Sequence, residues 1–151
     1  MIGLIQRVSG ATVAVESEEI AAIGRGLLVL VGVERDDGID EANRLASRLV
    51  AYRVFADTDG KMNRSVRDVG GALLLVPQFT LVAETSGGLR PSFSRAAPPE
   101  AGARVFAALV SAVAATGVAH ACGRFGADMQ VTLTNDGPVT FWLQVPPRPV
   151  G

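Results

Sequence analysis

The chain has 151 residues, of which 48% are hydrophobic and only 5% aromatic, so length and composition predict one domain with a mainly aliphatic core. Its net charge of −1 argues against a protein that grips nucleic acid through a global positive field, and its single cysteine and single histidine exclude an internal disulfide and disfavour a His/Cys metal site. Without signal-peptide features or an apolar run long enough to cross a membrane, the sequence predicts a soluble, cytoplasmic protein with no metal or cofactor.

The first part of the chain is predicted to be mostly strand. Residues 2–8 and 11–16 are rich in β-branched and apolar residues, and the intervening Ser9-Gly10 predicts that they form a hairpin. Residues 26–33 are a continuous apolar run bounded by glycines, which is typical of a strand buried on both faces.

Residues 41–54 are predicted to form the first helix, because their apolar residues recur on one helical face, which is predicted to be buried. These residues are Ala42, Leu45, Ala46, Leu49 and Val50. Asp40 is the expected N-cap, and Asp57-Thr58-Asp59-Gly60 is an expected turn. Basic residues outnumber acidic ones in part of this region, which indicates either a solvated surface or a contact with nucleic acid. The basic residues are Arg44, Arg48, Arg53, Lys61, Arg64 and Arg67.

The second half of the chain is predicted to contain a buried strand at 72–76, a long loop at 84–99 and a helix that opens at Pro98-Pro99-Glu100 and stops at Gly117. Three further strands are expected at 118–124, 128–134 and 139–145. The last two are expected to be joined by a turn at residues 135–138.

The order ββ-βα-βα-βββ predicts a single α/β domain over residues 1–145, followed by a proline-rich tail at 146–151. We expect a mixed β-sheet with two helices on one face and extra strands closing the other, in three layers (α/β/β).

Three segments carry residue types suited to chemistry or binding. Gln78-Phe79-Thr80 follows a buried strand, where open sheets place ligands, and its amide, hydroxyl and backbone N–H groups suit an oxyanion. Residues 123–129 combine glycines with Phe125, which leaves room for a flat ring. Residues 135–140 contain Gly137-Pro138, a turn signal that also admits a cis bond. Each segment also has a purely structural reading as a strand end, a bend or a hairpin turn.

Two other candidates are weaker. A hydrolase triad of His120 with Ser92, Ser94 or Ser111 lacks the Gly-x-Ser-x-Gly elbow around any serine. Cys122 is better interpreted as a small core residue than as a nucleophile.

Several longer motifs occur in order over residues 1–145, and through them the chain resembles the D-aminoacyl-tRNA deacylase family of the D-Tyr-tRNA deacylase type. The motifs are Ile5-Gln6-Arg7-Val8, Gly26-Leu27-Leu28-Val29-Leu30, Lys61-Met62-Asn63, Pro77-Gln78-Phe79-Thr80-Leu81, Arg90-Pro91-Ser92-Phe93-Ser94, the run from Gly123 to Val131 and the run from Asn135 to Trp142.

The resemblance implies a homodimeric esterase whose active sites lie at the subunit interface. Its substrate would be the aminoacylated 3′ end of tRNA carrying a D-amino acid. A site that excludes L side chains would also admit glycine, which has no side chain. Gly137 and Pro138 would be the family's Gly–cisPro pair, which enters the partner's site and faces the amino group and α-carbon of the bound amino acid. Arg7 would fix that loop through contacts across the interface.

The resemblance also assigns the other site residues. Gln78, Phe79 and Thr80 would hold the ester and the terminal adenosine, and the segment containing Phe125 and Met129 would line the adenine pocket. The ribose 2′-hydroxyl of the tRNA would take part in the chemistry, with no metal.

The chain departs from the family at Pro77, where the usual residue is serine, so a hydroxyl and an N–H group are both lost. A related animal group has proline there with alanine in place of Phe79, and it accepts some L-alanyl-tRNA. Because Phe79 and the full Asn135–Thr140 motif are kept, we favour the D-specific class. A deacylase of relaxed chirality and a non-catalytic RNA-binding dimer remain the alternatives.

Overall fold

The first strand, β1, is the centre of the sheet in this computed structural model, which describes residues 1–149. It pairs with β3 along its first half, with β2 along its second half, and with β8 on its other edge. In chain order the described elements are β1 (Ile2–Val15), β2 (Glu18–Ile23), β3 (Gly26–Gly32), α1 (Ile39–Ala51), β4 (Phe55–Ala56), β5 (Met62–Arg64), β6 (Ala72–Pro77), α2 (Pro99–Ala115), β7 (Ala119–Cys122) and β8 (Gln130–Gln144).

The strand order is β2-β1-β3-β6-β7, with β8 on the outer edge of β1, while β4 and β5 form a separate small hairpin. β1 is antiparallel to its three partners, whereas β3, β6 and β7 run parallel to one another. The sheet curls until β2 also approaches β6 and β7, so it is nearly closed. The predicted α/β domain with a mixed sheet is confirmed.

β3 and β6 are buried on both faces, as the glycine-bounded apolar runs predicted. Side chains alternate across a strand, so each strand contributes to two clusters. The cluster shared with both helices contains Leu27, Val29, Val31, Leu73 and Leu75. The cluster shared with β1 and β2 contains Leu28, Leu74 and Val76. This arrangement gives the predicted layers of helices, central strands and closing strands.

The predicted hairpin at Ser9-Gly10 is wrong. β1 continues through both residues because its two halves pair with the same long strand, β8. The chain reverses instead at Glu16 and Ser17, which have φ angles of 50° and 65° and lead directly into β2. Positive φ at both central residues is the geometry of a tight two-residue hairpin turn.

The predicted turn between two final strands is also wrong. Both parts of β8 pair with β1 in the same direction, so the chain does not reverse at residues 135–138. Gln6 is opposite Thr140 and Val8 is opposite Asn135, so residues 136–139 together are opposite Arg7 and form a large bulge in one strand.

The first helix begins before its predicted start, and Asp40 does not cap it. Gly38 occupies the N-cap position, and its N–H donates to the Glu41 carboxylate at 2.8 Å. Asp40 lies in the first turn and pairs with Arg44 at 3.0 Å. The predicted buried stripe of α1 is confirmed and consists of Ala42, Leu45, Ala46, Leu49 and Val50.

Residues 146–149 of the predicted tail have no regular secondary structure, and residues 150–151 lie outside the described part of the chain. No helix within residues 1–149 is long and apolar enough to cross a membrane.

Candidate active site

The segment Pro77-Gln78-Phe79-Thr80 lies where β3 and β6 end side by side. Pro77 pairs with Val31 as the last residue of β6, and the Gln78 N–H donates to the Val31 carbonyl at 2.7 Å. The ladder between β6 and β7 ends with the pair Leu75–Cys122. The N–H group that Pro77 lacks would therefore fall beyond the last rung, which is why proline is tolerated here.

After Gln78 the chain turns into a short 3₁₀ helix, Phe79–Val82. The first N–H groups of such a helix have no carbonyl within it, and the first to bond back is that of Leu81, to the Gln78 carbonyl at 3.2 Å. The N–H groups of Phe79 and Thr80 are thus left for a ligand, and both residues are exposed. Gln78 Nε2 donates to Thr80 Oγ1, which fixes the hydroxyl beside them.

A cavity of about 810 Å³ opens at this strand end, within the roughly 300–1,000 Å³ typical of small-ligand sites. Its walls bring together four of the residues singled out from the sequence: Gln78, Phe79, Phe125 and Met129. Apolar groups such as Val76 and the Pro77 ring complete the inner wall. The cavity can therefore hold a flat ring against apolar groups, with hydrogen-bonding groups at one end.

Phe93 and Arg35 also line the cavity, although neither was predicted from the sequence to be a site residue. The Phe93 ring packs against Phe79 with centroids 5.1 Å apart. Phe93 belongs to the long loop, which is tied to the chain after β3 by a 3.1 Å hydrogen bond from the Ala97 N–H to the Val33 carbonyl. The length of that loop was the sequence signal for a functional role.

Two glycines make room for the walls of the cavity. A Cβ at Gly102, in the first turns of α2, would be 3.1 Å from Phe125 Cζ. A Cβ at Gly123 would be 2.8 Å from Met129 Sδ and 3.5 Å from Pro77 Cδ. Phe125 and Met129 can therefore occupy these positions only because the residues that they pack against, Gly102 and Gly123, have no side chain.

The bulge that contains Gly137 and Pro138 is held by Arg7 of the same chain. Arg7 Nε donates to the Asp136 carbonyl at 3.1 Å, and Nη1 donates to the Val54 carbonyl at 2.8 Å. The Gly137-Pro138 peptide bond is cis. Arg7 was expected to act across an interface. These hydrogen bonds are within one chain, and a contact with a partner stays a prediction.

Asn135 closes the base of the bulge. Its side-chain amide donates to the Arg7 and Val139 carbonyls, at 3.0 Å in each case, and its oxygen accepts from the Thr140 hydroxyl at 3.3 Å. The bulge is thus a fixed feature of the strand rather than a loose turn.

Within one chain, the bulge and the cavity lie at opposite ends of β3. Arg7 is paired with Leu27, whereas Pro77 and Gln78 adjoin Val31 and Gly32. The five-residue offset from Leu27 to Gly32 corresponds to about 16 Å along the strand. The structure therefore brings Gln78, Phe79, Phe125 and Met129 together around the cavity. Thr80 follows Phe79 but is not among the residues that line the cavity. Arg7, Gly137 and Pro138 lie away from it.

His120 is not part of this site. It lies on β7, and its Nδ1 is 3.1 Å from the Val118 carbonyl, with no serine hydroxyl bonded to it among the described residues. Cys122 is half-buried at the end of the same strand and packs against the helix-side core. Across residues 1–149, no three His, Cys, Asp or Glu side chains gather in a group that could hold a metal ion.

Comparison with known proteins gives one family. The family model described as D-Tyr-tRNA(Tyr) deacylase matches residues 4–144. The chain belongs to the D-Tyr-tRNA(Tyr) deacylase family. The predicted family and the predicted enzyme class, a hydrolase of ester bonds, are thereby confirmed.

Curated relatives agree over nearly the whole chain. The D-aminoacyl-tRNA deacylase of Nitrosococcus oceani is 59% identical over 147 residues, which cover 97% of this chain and 95% of that protein. The protein of the same name from Cronobacter sakazakii is 57% identical over 145 residues, which cover 96% of this chain and 100% of that protein.

Two solved structures have the same fold. A c-Myc DNA unwinding element binding protein superposes with a TM-score of 0.91 at 37% identity, over 97% of this chain and 100% of that one. A probable eukaryotic D-amino acid tRNA deacylase superposes with a TM-score of 0.82 at 16% identity, over 95% and 98% of the two chains. The second likeness concerns the fold alone.

Proposed function

We propose that this protein hydrolyses the ester bond of D-aminoacyl-tRNA and glycyl-tRNA, releasing free tRNA and the amino acid, as a proofreading step in translation. The observation that carries the proposal is a cavity lined by Gln78, Phe79, Phe125 and Met129 in a chain that matches the family over residues 4–144. The cavity's apolar walls suit the terminal adenine, and its polar end suits the ester.

The chemistry follows from the groups at that polar end. The N–H groups of Phe79 and Thr80 would stabilise the oxyanion that forms when water adds to the ester carbonyl. The Thr80 hydroxyl, held by Gln78, would position the ester rather than attack it. We propose that the ribose 2′-hydroxyl beside the ester assists the departure of the 3′-oxygen, and that no metal takes part.

The chiral choice would lie with the bulge. Exchanging a D- for an L-amino acid exchanges the hydrogen and the side chain on one carbon, so a rigid backbone wall against that position rejects every L side chain. The same wall would admit glycine, which has no side chain. The Arg7 and Asn135 contacts support the rigidity that Gly137 and Pro138 would need.

A wall of this kind requires a second copy of the chain. Because the bulge and the cavity of one chain are separated by most of β3, the bulge would have to enter the cavity of a partner. The outer strand β8 also leaves large apolar side chains uncovered, with Phe141 38% and Trp142 51% exposed. These features support a homodimer with two active sites at its interface.

The direct test is to incubate the purified protein with D-Tyr-tRNA, L-Tyr-tRNA, Gly-tRNA and L-Ala-tRNA, with EDTA present throughout. We expect rapid loss of the D-tyrosyl and glycyl esters and persistence of both L-esters. If D-Tyr-tRNA survives while an established deacylase cleaves it, the proposal fails.

Pro77 supports a second candidate, a deacylase of relaxed chirality. Its ring lines the cavity wall where the family usually has serine, and no N–H or hydroxyl is available there. Hydrolysis of L-Ala-tRNA together with the D-esters would favour this candidate over the strict enzyme.

A further inference from the structure

Arg35 holds a distinctive position at the rim of the cavity. Among the described residues that line it, Arg35 is the single cation and Asp128 the single anion. Arg35 Nε donates to the Ser94 carbonyl at 3.2 Å, and its backbone N–H donates to the Arg95 carbonyl at 3.0 Å. The loop therefore holds the guanidinium beside the opening, and neither Nη group donates to these two carbonyls.

The carboxylates near Arg35 in sequence do not neutralise it. Glu34 pairs instead with Arg95, at 2.8 Å, and no carboxylate within residues 1–149 is in ion-pair distance of Arg35. The adjacent Asp36 is exposed to solvent. An exposed arginine that is anchored through Nε and lacks a partner acid is suited to an anion that it can grip with two Nη donors.

We propose that Arg35 binds the phosphate on the 5′ side of the terminal nucleotide, so that the cavity recognises a nucleotide rather than a nucleoside. This inference rests on the proposed function, because it takes the cavity to hold the terminal adenosine. With the ring beside Phe125 and Met129 and the ester beside Gln78, the 5′ phosphate is the one anionic group of the terminal nucleotide, and so the group that a cation at the rim would bind. A single placed cation also fits a chain of net charge −1, in which no general positive field attracts RNA.

The test uses two small esters that differ in one phosphate: the 3′-D-tyrosyl esters of adenosine and of adenosine 5′-monophosphate. For the unmodified protein we expect kcat/KM to be about tenfold higher for the phosphorylated ester, as a charge-assisted bidentate contact predicts. In Arg35→Gln that ratio should fall to about one, and in Arg35→Lys it should fall only in part.

Arg67→Gln is the matched control. Arg67 is also exposed and also donates to one backbone carbonyl, that of Thr116, at 2.9 Å. Thr116 follows the far end of α2, which is about 25 Å long and begins at the cavity. Arg67→Gln should keep the tenfold preference, so a general effect of lost positive charge is separated from a contact at the rim.

Binding measured without chemistry separates this inference from the proposed function. By calorimetry, adenosine 5′-monophosphate should bind about tenfold more tightly than adenosine, and Arg35→Gln should abolish the difference. Equal binding of the two ligands, or a preference unchanged in Arg35→Gln, overturns the phosphate contact even if the esters are cleaved. Survival of D-Tyr-tRNA in the direct test overturns the proposed function, while the binding data still decide the role of Arg35.

Discussion

Gly102 and Phe125 are packed so closely that a methyl group on Gly102 would come within 3.1 Å of Phe125 Cζ. Phe125 is 36% exposed and lines the cavity, so the ring is free to yield in one direction, toward the ligand. The glycine in a buried helix turn thus sets the width of a pocket on the other side of an aromatic ring.

The substitution Gly102→Ala should separate binding from stability. Alanine favours a helix interior over glycine by about 1 kcal/mol, which should offset the crowding and leave the urea midpoint nearly unchanged. The displaced ring should weaken substrate binding by about 1 kcal/mol, or about fivefold in KM, with little change in kcat. Phe125→Leu in the same chain should relieve much of the effect, and a KM that Gly102→Ala leaves unaltered would contradict this account.

Gly26 has a different role, because it faces backbone. A Cβ at Gly26 would be 1.8 Å from the Ala72 carbonyl oxygen, across the parallel pair β3–β6. Gly26→Ala should therefore force the two strands apart and reduce the free energy of unfolding by about 3 kcal/mol or more. Gly24→Ala, two residues away with nothing within 4 Å of its Cβ, is the control. Equal urea midpoints for the two variants would contradict the predicted contact.

The sequence was most informative where one strand or helix determines its own environment. The apolar run 26–33 predicted a strand buried on both faces because no polar residue interrupts it. The spacing of Leu45 and Leu49 predicted the buried face of α1 because residues four apart lie on the same side of a helix. Pairing between distant strands was not encoded locally, so the continuity of β1 through Ser9-Gly10 was missed.

The candidate site was predicted in the same uneven way. Gln78, Phe79, Phe125 and Met129 were found because motifs and strand ends mark them, and they line one cavity. Arg35 was missed because a lone arginine before a helix has no local signature, and its place at the rim depends on the loop carbonyl of Ser94. The distance between the bulge and the cavity became visible only with the register of β1, β3 and β6.

Glu41 should give the protein part of its resistance to acid. Although burial raises the pKa of Glu41, hydrogen bonds from the Gly38 N–H and from Arg44 outweigh it and hold that pKa below its ordinary value of 4.5. A carboxyl with a lowered folded-state pKa contributes stability above its unfolded pKa and loses it as pH falls through the folded value. Stability should therefore decline below about pH 4.5.

The variant Glu41→Gln should lose about 1 kcal/mol at pH 7 and should show a shallower decline in acid. Urea unfolding at pH 7, 4.5 and 3.5 measures both effects. Asp40→Asn is the control, since Asp40 is an exposed partner of the same Arg44, and an exposed pair should contribute only about 0.5 kcal/mol. Identical pH profiles for Glu41→Gln and the unmodified protein would count against the role assigned to Glu41.

Arg7→Lys tests whether a rigid bulge is needed for chiral choice. Lysine keeps the positive charge near Asp136 but is unable to span the Asp136 and Val54 carbonyls as the guanidinium does, at 3.1 and 2.8 Å. We expect the ratio of kcat/KM for D-Tyr-tRNA over L-Tyr-tRNA to fall about tenfold, which corresponds to about 1.4 kcal/mol of lost discrimination. Arg48→Lys, which also alters an arginine bonded to a β8 carbonyl, that of Gln144 at 3.0 Å, should leave the ratio unchanged. If both variants keep the full ratio while unfolding at similar urea concentrations, the bulge does not depend on Arg7 for its rigidity, and Asn135, which bonds the Arg7 and Val139 carbonyls, becomes the residue to change next.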